Sequence, residues 1–509
     1  MKHKILSRLL FVLACLATLV ALFYAEEDWR GKHAWEQFKR EWEAKGEKFD
    51  RASVVPSAVP EDKNFALTPV VASSYEAMLD KTGHALWPRN TNVINRLQMS
   101  LTDSQALLEW PTNGTGDWRT ARAVDLDAWQ QYYRALAAKT NDFPVSPQPR
   151  SAAADVVLAL GKYDSTLKEV REASRLPYSR FPLEYDADNP AAMLLPHLAA
   201  MKGCAQVLAL RALAELRNGQ SNEALADVRL LLRLTDSVRT EPILISHLVR
   251  IALVNIALQP VWEGLAGHRW SDAQLADLDG ELAKLDFVAD CQLSMRGEMV
   301  LFQGGIFDYL RRHPGQFSSL ANDGGPAPSS ILFTAGHLIP SGWFYQNQLH
   351  CARPMVEFYL PAADVSHAII SPAAMHRADA EVTAETRRLS PYNVLERLLL
   401  PALGNAEKKF ASGQAAVNLA RTAIALERYR LAHGEYPETL DALAPAYIAR
   451  LPHDVINGQP LHYRRTAGGQ FVLYSVGWNE TDDDGAVGLN KSGTANLNEG
   501  DWVWRYPAE

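Results

Sequence analysis

The strongest constraint on this chain is its opening stretch, MKHKILSRLLFVLACLATLVALFYAEEDWR. An apolar run from Leu9 to Ala25 follows Lys2, Lys4 and Arg8 and is cut off by Glu26, Glu27 and Asp28. A helix needs roughly 17–25 apolar residues to cross a bilayer. The run meets the lower limit, and Ile5 and Leu6 lengthen it if Arg8 snorkels to the interface. Residues 1–25 are therefore expected to be a transmembrane anchor with the lipid bilayer as their partner. Positive charge before the run and acid after it place the N-terminus in the cytoplasm and the rest outside. A signal-peptidase site wants small residues, whereas ALFYAEE carries Phe23; VLAC, ending at Cys15, is followed by more apolar residues than a lipoprotein box allows. Both points favour an uncleaved signal anchor over cleavage or lipidation.

The remainder reads as globular. Hydrophobic residues make up 47% and charged residues 22% of the chain, enough to build an ordinary core. A net charge of −8 with no long basic run argues against a nucleic-acid partner, which demands clustered Lys and Arg. Of four cysteines, Cys15 lies in the anchor, and Cys204, Cys291 and Cys351 have no C-x-x-C spacing. They read as buried apolar thiols rather than as a disulfide or metal framework.

Residues 26–64 comprise an amphipathic helix and a Pro-containing linker. Trp35, Phe38 and Trp42 share one helical face, Glu36–Arg40 and Glu41–Lys45 are favourable i, i+4 pairs, and Gly46 is the expected stop. That aromatic face can rest on headgroups or pack on its own domain. Residues 65–150 are mixed, with a turn at PTNGTGDW and a helix in VDLDAWQQYYRALAAK capped by Asp125 or Asp127. Residues 151–312 are strongly helical. They include a long helix carrying Pro196, a helix capped by Ser221 or Asn222, and one capped by Ser271, which together predict an antiparallel helical array. LALRALAELRNGQSNEALADVRLLLRL resembles one tetratricopeptide unit, but a stable solenoid needs about three. Residues 313–345 form a Gly/Pro/Ser-rich loop, and 346–410 a helical connection.

Beyond Gly434 the pattern changes to short β-branched or aromatic runs: PLHYRRT, GQFVLYSVG and DWVWRYP. TAGG suits a hairpin loop, and Asn457-Gly458 a tight turn. Residues 411–509 thus predict a long helix leading into a small antiparallel sheet. The fold class is mainly α: an N-terminal transmembrane helix, a central antiparallel helical array and a small C-terminal α+β domain.

The order Glu427-Arg428-Tyr429-Arg430, Gly434, Tyr436-Pro437, Leu440, Leu443, Leu451-Pro452, Asp454, Gly458-Gln459-Pro460, Tyr463 and Tyr474-Ser475-x-Gly477 resembles the C-terminal domain of the major pseudopilin of type II secretion. The anchor lacks the glycine cleavage site and early glutamate of that family, and residues 26–410 separate anchor from module. The resemblance therefore implies a pseudopilin-like module on a larger envelope protein. The overall plan is similar to that of anchored bacterial envelope proteins, which implies a single pass of the inner membrane with the bulk in the periplasm.

YSVGWNETDDDGAVG is the candidate metal loop. Calcium favours several oxygen ligands. As an EF-hand the loop fails, because with Gly485 at position six, position twelve is Lys491 rather than glutamate. The resemblance implies a calcium loop after Tyr-Ser-x-Gly, with the Val476 carbonyl and Asn479 as ligands and Asp482, Asp484 and Asp501 as further candidates; the alternative is a solvated acidic turn. GAVGLNKS approaches a P-loop but has Asn490 for the second glycine and no helix after it, so no nucleotide is expected. H-E-x-x-H and G-x-S-x-G are absent from the sequence. His197 and His247 read as core residues, and Glu298 and Asp308 as remote acid/base candidates. The expected function is a membrane-anchored, extracytoplasmic structural or protein-interaction protein with an unknown protein partner, without assigned catalytic residues. The alternatives are a pseudopilin-related secretion subunit and an enzyme whose site lies in the helical domain.

Overall fold

The computed structural model describes residues 2–316, 336 and 338–506, apart from 77, 80–84, 88–94, 104–106, 112–113, 115, 388–389 and 401–402. Most of the Gly/Pro/Ser-rich loop expected at 313–345, and part of the turn at PTNGTGDW, therefore lie outside the described residues. The helices are α1 (Lys2–Ala44), α2 (Pro69–Glu76), α3 (Leu126–Ala137), α4 (Ala152–Leu160), α5 (Asp164–Ala173), α6 (Pro196–Arg217), α7 (Ser221–Asp236), α8 (Leu244–Ala266) and α9 (Asp272–Leu282). They continue with α10 (Phe287–Gly297), α11 (Gly304–Arg312), α12 (Ser341–Pro354), α13 (Pro372–Arg387), α14 (Val394–Leu399) and α15 (Leu403–His433). The C-terminal strands are β1 (His462–Arg465), β2 (Phe471–Ser475), β3 (Val487–Leu489), β4 (Ala495–Gly500) and β5 (Trp502–Arg505). This is a mainly helical protein with a long apolar N-terminal helix and small C-terminal sheets, as the sequence predicts.

The anchor and the amphipathic segment are one continuous helix. No residue of the most apolar 18-residue stretch of α1 is buried, whereas the less apolar stretches in α6 and α8 are more than half buried. An apolar face that the protein leaves uncovered suits association with a membrane. Further along, Trp35 and Phe38 are buried and Trp42 packs against the same core, with Phe49 folded edge-on over Trp35 and Phe38. The aromatic face is thus used for packing on its own domain. Gly46, with φ of 97°, ends the helix, a conformation that costs glycine no Cβ clash.

α12 crosses α1 at a glycine pair. A Cβ on Gly31 would collide with the Gly342 carbonyl, and one on Gly342 with the Glu27 carbonyl. Asp28 Oδ1 accepts from the Gly342 N–H at 2.7 Å and so satisfies a donor in the first turn of α12. Arg30 bridges Glu27 and the Tyr392 hydroxyl.

Local start signals mark several of the helices. Asp125 caps α3 through the Ala128 N–H, and Ser271 with Gln274 forms a complete capping box on α9. Two expectations are corrected. Pro196 begins α6 instead of lying inside it, because proline fits the first helical position, where its missing N–H would have no partner. Neither Ser221 nor Asn222 caps α7; Ser221 is its first residue, and both side chains accept from Gln274 instead. A single apolar core runs from Trp35 through α6, α8 and α15 to Trp504.

α15 packs on α8, α9 and α10 along one side and on the C-terminal strands along the other. The sheet has the antiparallel order β1-β2-β5, with Tyr463 opposite Leu473 and Leu473 opposite Trp504. β3 and β4 form a separate hairpin. Trp504 stacks obliquely on Trp118, and Trp262 Nε1 donates to the Arg505 carbonyl at 3.0 Å, which ties the sheet to the array.

The glycine crossing generates a prediction. Gly342→Ala forces the α1 and α12 backbones apart and should destabilise the folded protein by roughly 1–3 kcal/mol, as overpacking typically does. Thermal melting in detergent micelles reads this directly; an unchanged melting temperature would show that the two helices are not held at this distance.

Candidate functional site: a polar cleft beside the acidic loop

The largest described cleft, about 640 Å³, lies between α13, the start of α15 and the acidic loop. Met375, His376, Asp379, Val382 and Thr383 line it from α13; their spacing of about one and two turns puts them on one helical face. Gly404, Asn405 and Lys408 contribute the first turns of α15, Arg397 comes from α14, and Trp478, Asn479 and Asn498 close the far side. His376 meets the Trp478 ring edge-on.

The floor is Tyr359, which is buried and donates from its hydroxyl to Asp379 Oδ1 at 3.3 Å. Burial, and then the Asp379 carboxylate, raise the Tyr359 hydroxyl well above the usual phenol range. Gly404 allows α15 to begin against Asp379, since a Cβ there would lie 3.0 Å from both carboxylate oxygens. Lys408 donates to Asn405 Oδ1 at 3.1 Å and to Asn498 Oδ1, and partial burial lowers its ammonium below the ordinary range. Next to it, Glu407 is completely buried, and among the described residues neither of its carboxylate oxygens has a hydrogen-bond partner. Burial, and then the neighbouring Asp379, push this carboxyl well above its ordinary value, which favours its neutral form.

The arrangement presents two cations, Lys408 and Arg397, beside the Asp379 carboxylate and the side-chain amides of Asn405 and Asn498. Such a surface can hold carboxylate or other anionic groups and backbone amides.

The sequence-predicted ligands are separated by this geometry. Only Asn479 lines the cleft. The Val476 N–H donates to Asp454 Oδ2 at 3.0 Å. Asn479 is spent within the loop, donating to Asp483 Oδ2 and accepting from the Thr481 N–H. Asp482 accepts from the Tyr474 hydroxyl and the Asp484 N–H, and faces His462. The Asp484 N–H bond, ahead of the Tyr474 bond, holds the Asp482 carboxyl below its usual range. Asp484 pairs loosely with exposed Arg464. Asp501 is buried and receives the Asp483 and Gly485 N–H groups, at 3.1 and 2.7 Å. Asp501 is turned inward to organise the turn, whereas Asp482 and Asp484 are exposed, and among the described residues these three carboxylates do not bring their oxygens within 4.8 Å of one another.

The other sequence candidates are also placed. His247 is fully buried with Nε2 2.8 Å from the Glu241 carbonyl, and burial together with nearby Arg250 brings its imidazole down to about 4. His197 Nε2 sits 3.0 Å from Glu241 Oε1 in the core. Asp308 pairs with Arg311, and burial pushes Glu298 up to about 7. The stretch GAVGLNKS forms β3 and the turn into β4, not the strand-to-helix turn of a P-loop. Tyr359, Asp379, Glu407 and Lys408 carry no sequence signal as a set, because only the docking of α13 on α15 brings them together.

Two outcomes follow from this geometry. A buried acid with a raised folded-state value is stabilising while protonated and costs stability once the pH exceeds its unfolded value. Glu407→Gln should therefore raise the melting temperature at pH 8 and change it little at pH 4, and an equal shift at both pH values would contradict a neutral buried acid. Calcium and EDTA should give the same melting temperature, for the wild type and for Asp482→Ala with Asp484→Ala; a calcium-dependent rise in the wild type alone would reinstate the loop as a metal site. Comparisons of the chain with models of known protein families, with curated proteins and with solved structures yield no match.

Proposed function

We propose that this protein is a single-pass, membrane-anchored protein of the bacterial envelope whose body lies outside the cytoplasm and binds another protein, without catalysing a reaction. The observation that carries the reading is α1. Its apolar half is unburied, its N-terminal flank is basic and its C-terminal flank acidic, and its second half is built into the core of the body. The polar cleft supplies the recognition surface: cations and amides suited to an acidic or extended peptide segment.

The C-terminal module fits the pseudopilin-like reading through its internal bonds. Asp454 is buried and accepts from Ser475 Oγ, the Val476 N–H and the Ile456 N–H. The Tyr463 hydroxyl donates to the Pro437 carbonyl, and Tyr436 to Glu427. Gly477, with φ of 70°, passes so close to Gly500 that a Cβ would press on its carbonyl. The landmarks of the resemblance thus hold one another, which accounts for their presence in a module used for packing and protein contacts.

Topology tests this reading. A periplasm-dependent phosphatase fused after residue 509 should be active and one fused before residue 1 inactive, and the protein should remain in the membrane fraction after alkaline carbonate extraction. The reverse pattern, or release by carbonate, would overturn it. A photo-crosslinker placed at Asn479 in cells should give one discrete adduct that Lys408→Glu removes; loss of no adduct would dissociate the cleft from partner binding.

A further inference from the structure

On the face of α12 and α14 that carries His350 and Glu396, three side chains from three helices meet. His350 of α12 places Nδ1 2.9 Å from Glu385 Oε1 of α13 and 3.8 Å from Glu396 Oε2 of α14. All three ligand atoms lie within 4.8 Å of one another, and among the described residues no other set of three His, Cys, Asp or Glu side chains does so. Donor atoms around one ion at about 2.1 Å are roughly 3–4 Å apart, so small side-chain adjustments would seat a cation between them.

The second observation is Glu396 itself. Its side chain is completely buried, it is directed at His350, and among the described residues neither carboxylate oxygen has a hydrogen-bond partner. A buried carboxylate without a partner is costly, and such groups are ordinarily paired, protonated or bound to a metal.

The fold also holds these ligands in place. Asn347, one turn before His350, is fully buried; its amide donates to the Trp343 and Pro391 carbonyls and its oxygen accepts from the Leu395 N–H at 3.1 Å. That clamp fixes the corner between α13 and α14. Asn393 donates to the Glu385 carbonyl from the same corner. Such outer contacts are what orient ligands in metal centres.

We infer that His350, Glu385 and Glu396 bind one divalent transition-metal ion through one imidazole nitrogen and two carboxylates. The nitrogen donor favours zinc or manganese over calcium or magnesium, which prefer oxygen alone. Three protein ligands leave positions open for water or a further ligand. The site is independent of the cleft and of the topology proposed above.

The test uses the full chain in detergent micelles, stripped with chelator and titrated with Zn²⁺ and separately with Mn²⁺, by calorimetry and by thermal melting. The wild type should take up one equivalent of one of these ions with a rise in melting temperature, while Ca²⁺ has no such effect. Glu396→Gln, which keeps the shape, should bind at least ~10-fold more weakly yet melt no lower than the wild type without metal. His350→Ala should also lose the metal-dependent rise. Absence of a heat and of a melting shift with both ions, or equal uptake by Glu396→Gln and wild type, would overturn the assignment.

Discussion

The burial of α15 on two sides is the constraint on which the architecture depends. A helix enclosed this way cannot carry a large side chain wherever a neighbour crosses it, and its middle accordingly reads Ala411, Ser412, Gly413, Ala415, Ala416, Ala420 and Ala423, all nearly or fully buried. At Gly413 a Cβ would come within 3.2–3.3 Å of Ile251 and Phe287, so α8 and α10 approach closest there. The opposite side receives β2 and β5. The two ends of the helix then take on different duties. The start supplies Gly404 and Lys408 to the cleft, and the end is locked by Glu427, which accepts from His268, Arg430 and Tyr436. Burial alone would raise the Glu427 carboxyl; the bonds from Arg430 and His268 outweigh it and keep it below its ordinary value.

Much of the fold was legible where local chemistry decides. Asp125, Ser271, Gly46, Gly434 and Asn457-Gly458 mark boundaries that the backbone obeys, since a cap or a left-handed turn is settled by a few adjacent residues. The strands at HYRR, FVLYS and WVWR follow from β-branched and aromatic runs. Features that need distant partners were not legible. Two π turns, Glu298–Gln303 and Met355–Tyr359, leave no signature in composition. Ser221 resembles a cap until Gln274 competes for it. The β3–β4 hairpin lies in a polar stretch without alternation, Val487–Gly500.

In the acidic loop backbone donors, as well as residue type, set what the carboxylates meet. Three adjacent aspartates suggest a cation because like charges repel, but here backbone N–H groups meet two of the neighbouring carboxylates, Asp482 and Asp501, directly. Asp501, remote in sequence from Asp483 and Gly485, fastens the loop from behind. The cluster of His350, Glu385 and Glu396, by contrast, is concealed from any spacing rule by the separation of its members along the chain.

The unbroken course of α1 has a mechanical consequence. At about 1.5 Å per residue a helix of this length reaches roughly 65 Å, of which about 30 Å would fill the hydrocarbon layer. The remainder is clamped by α12 beginning at Glu27 and Gly31, so no swivel separates bilayer from body. The helix is a stiff post, not a tether. In the membrane-anchored reading proposed above, it would present the body at a set height and in a set direction, and a partner in the same membrane plane would meet it with most of the orientational search already removed.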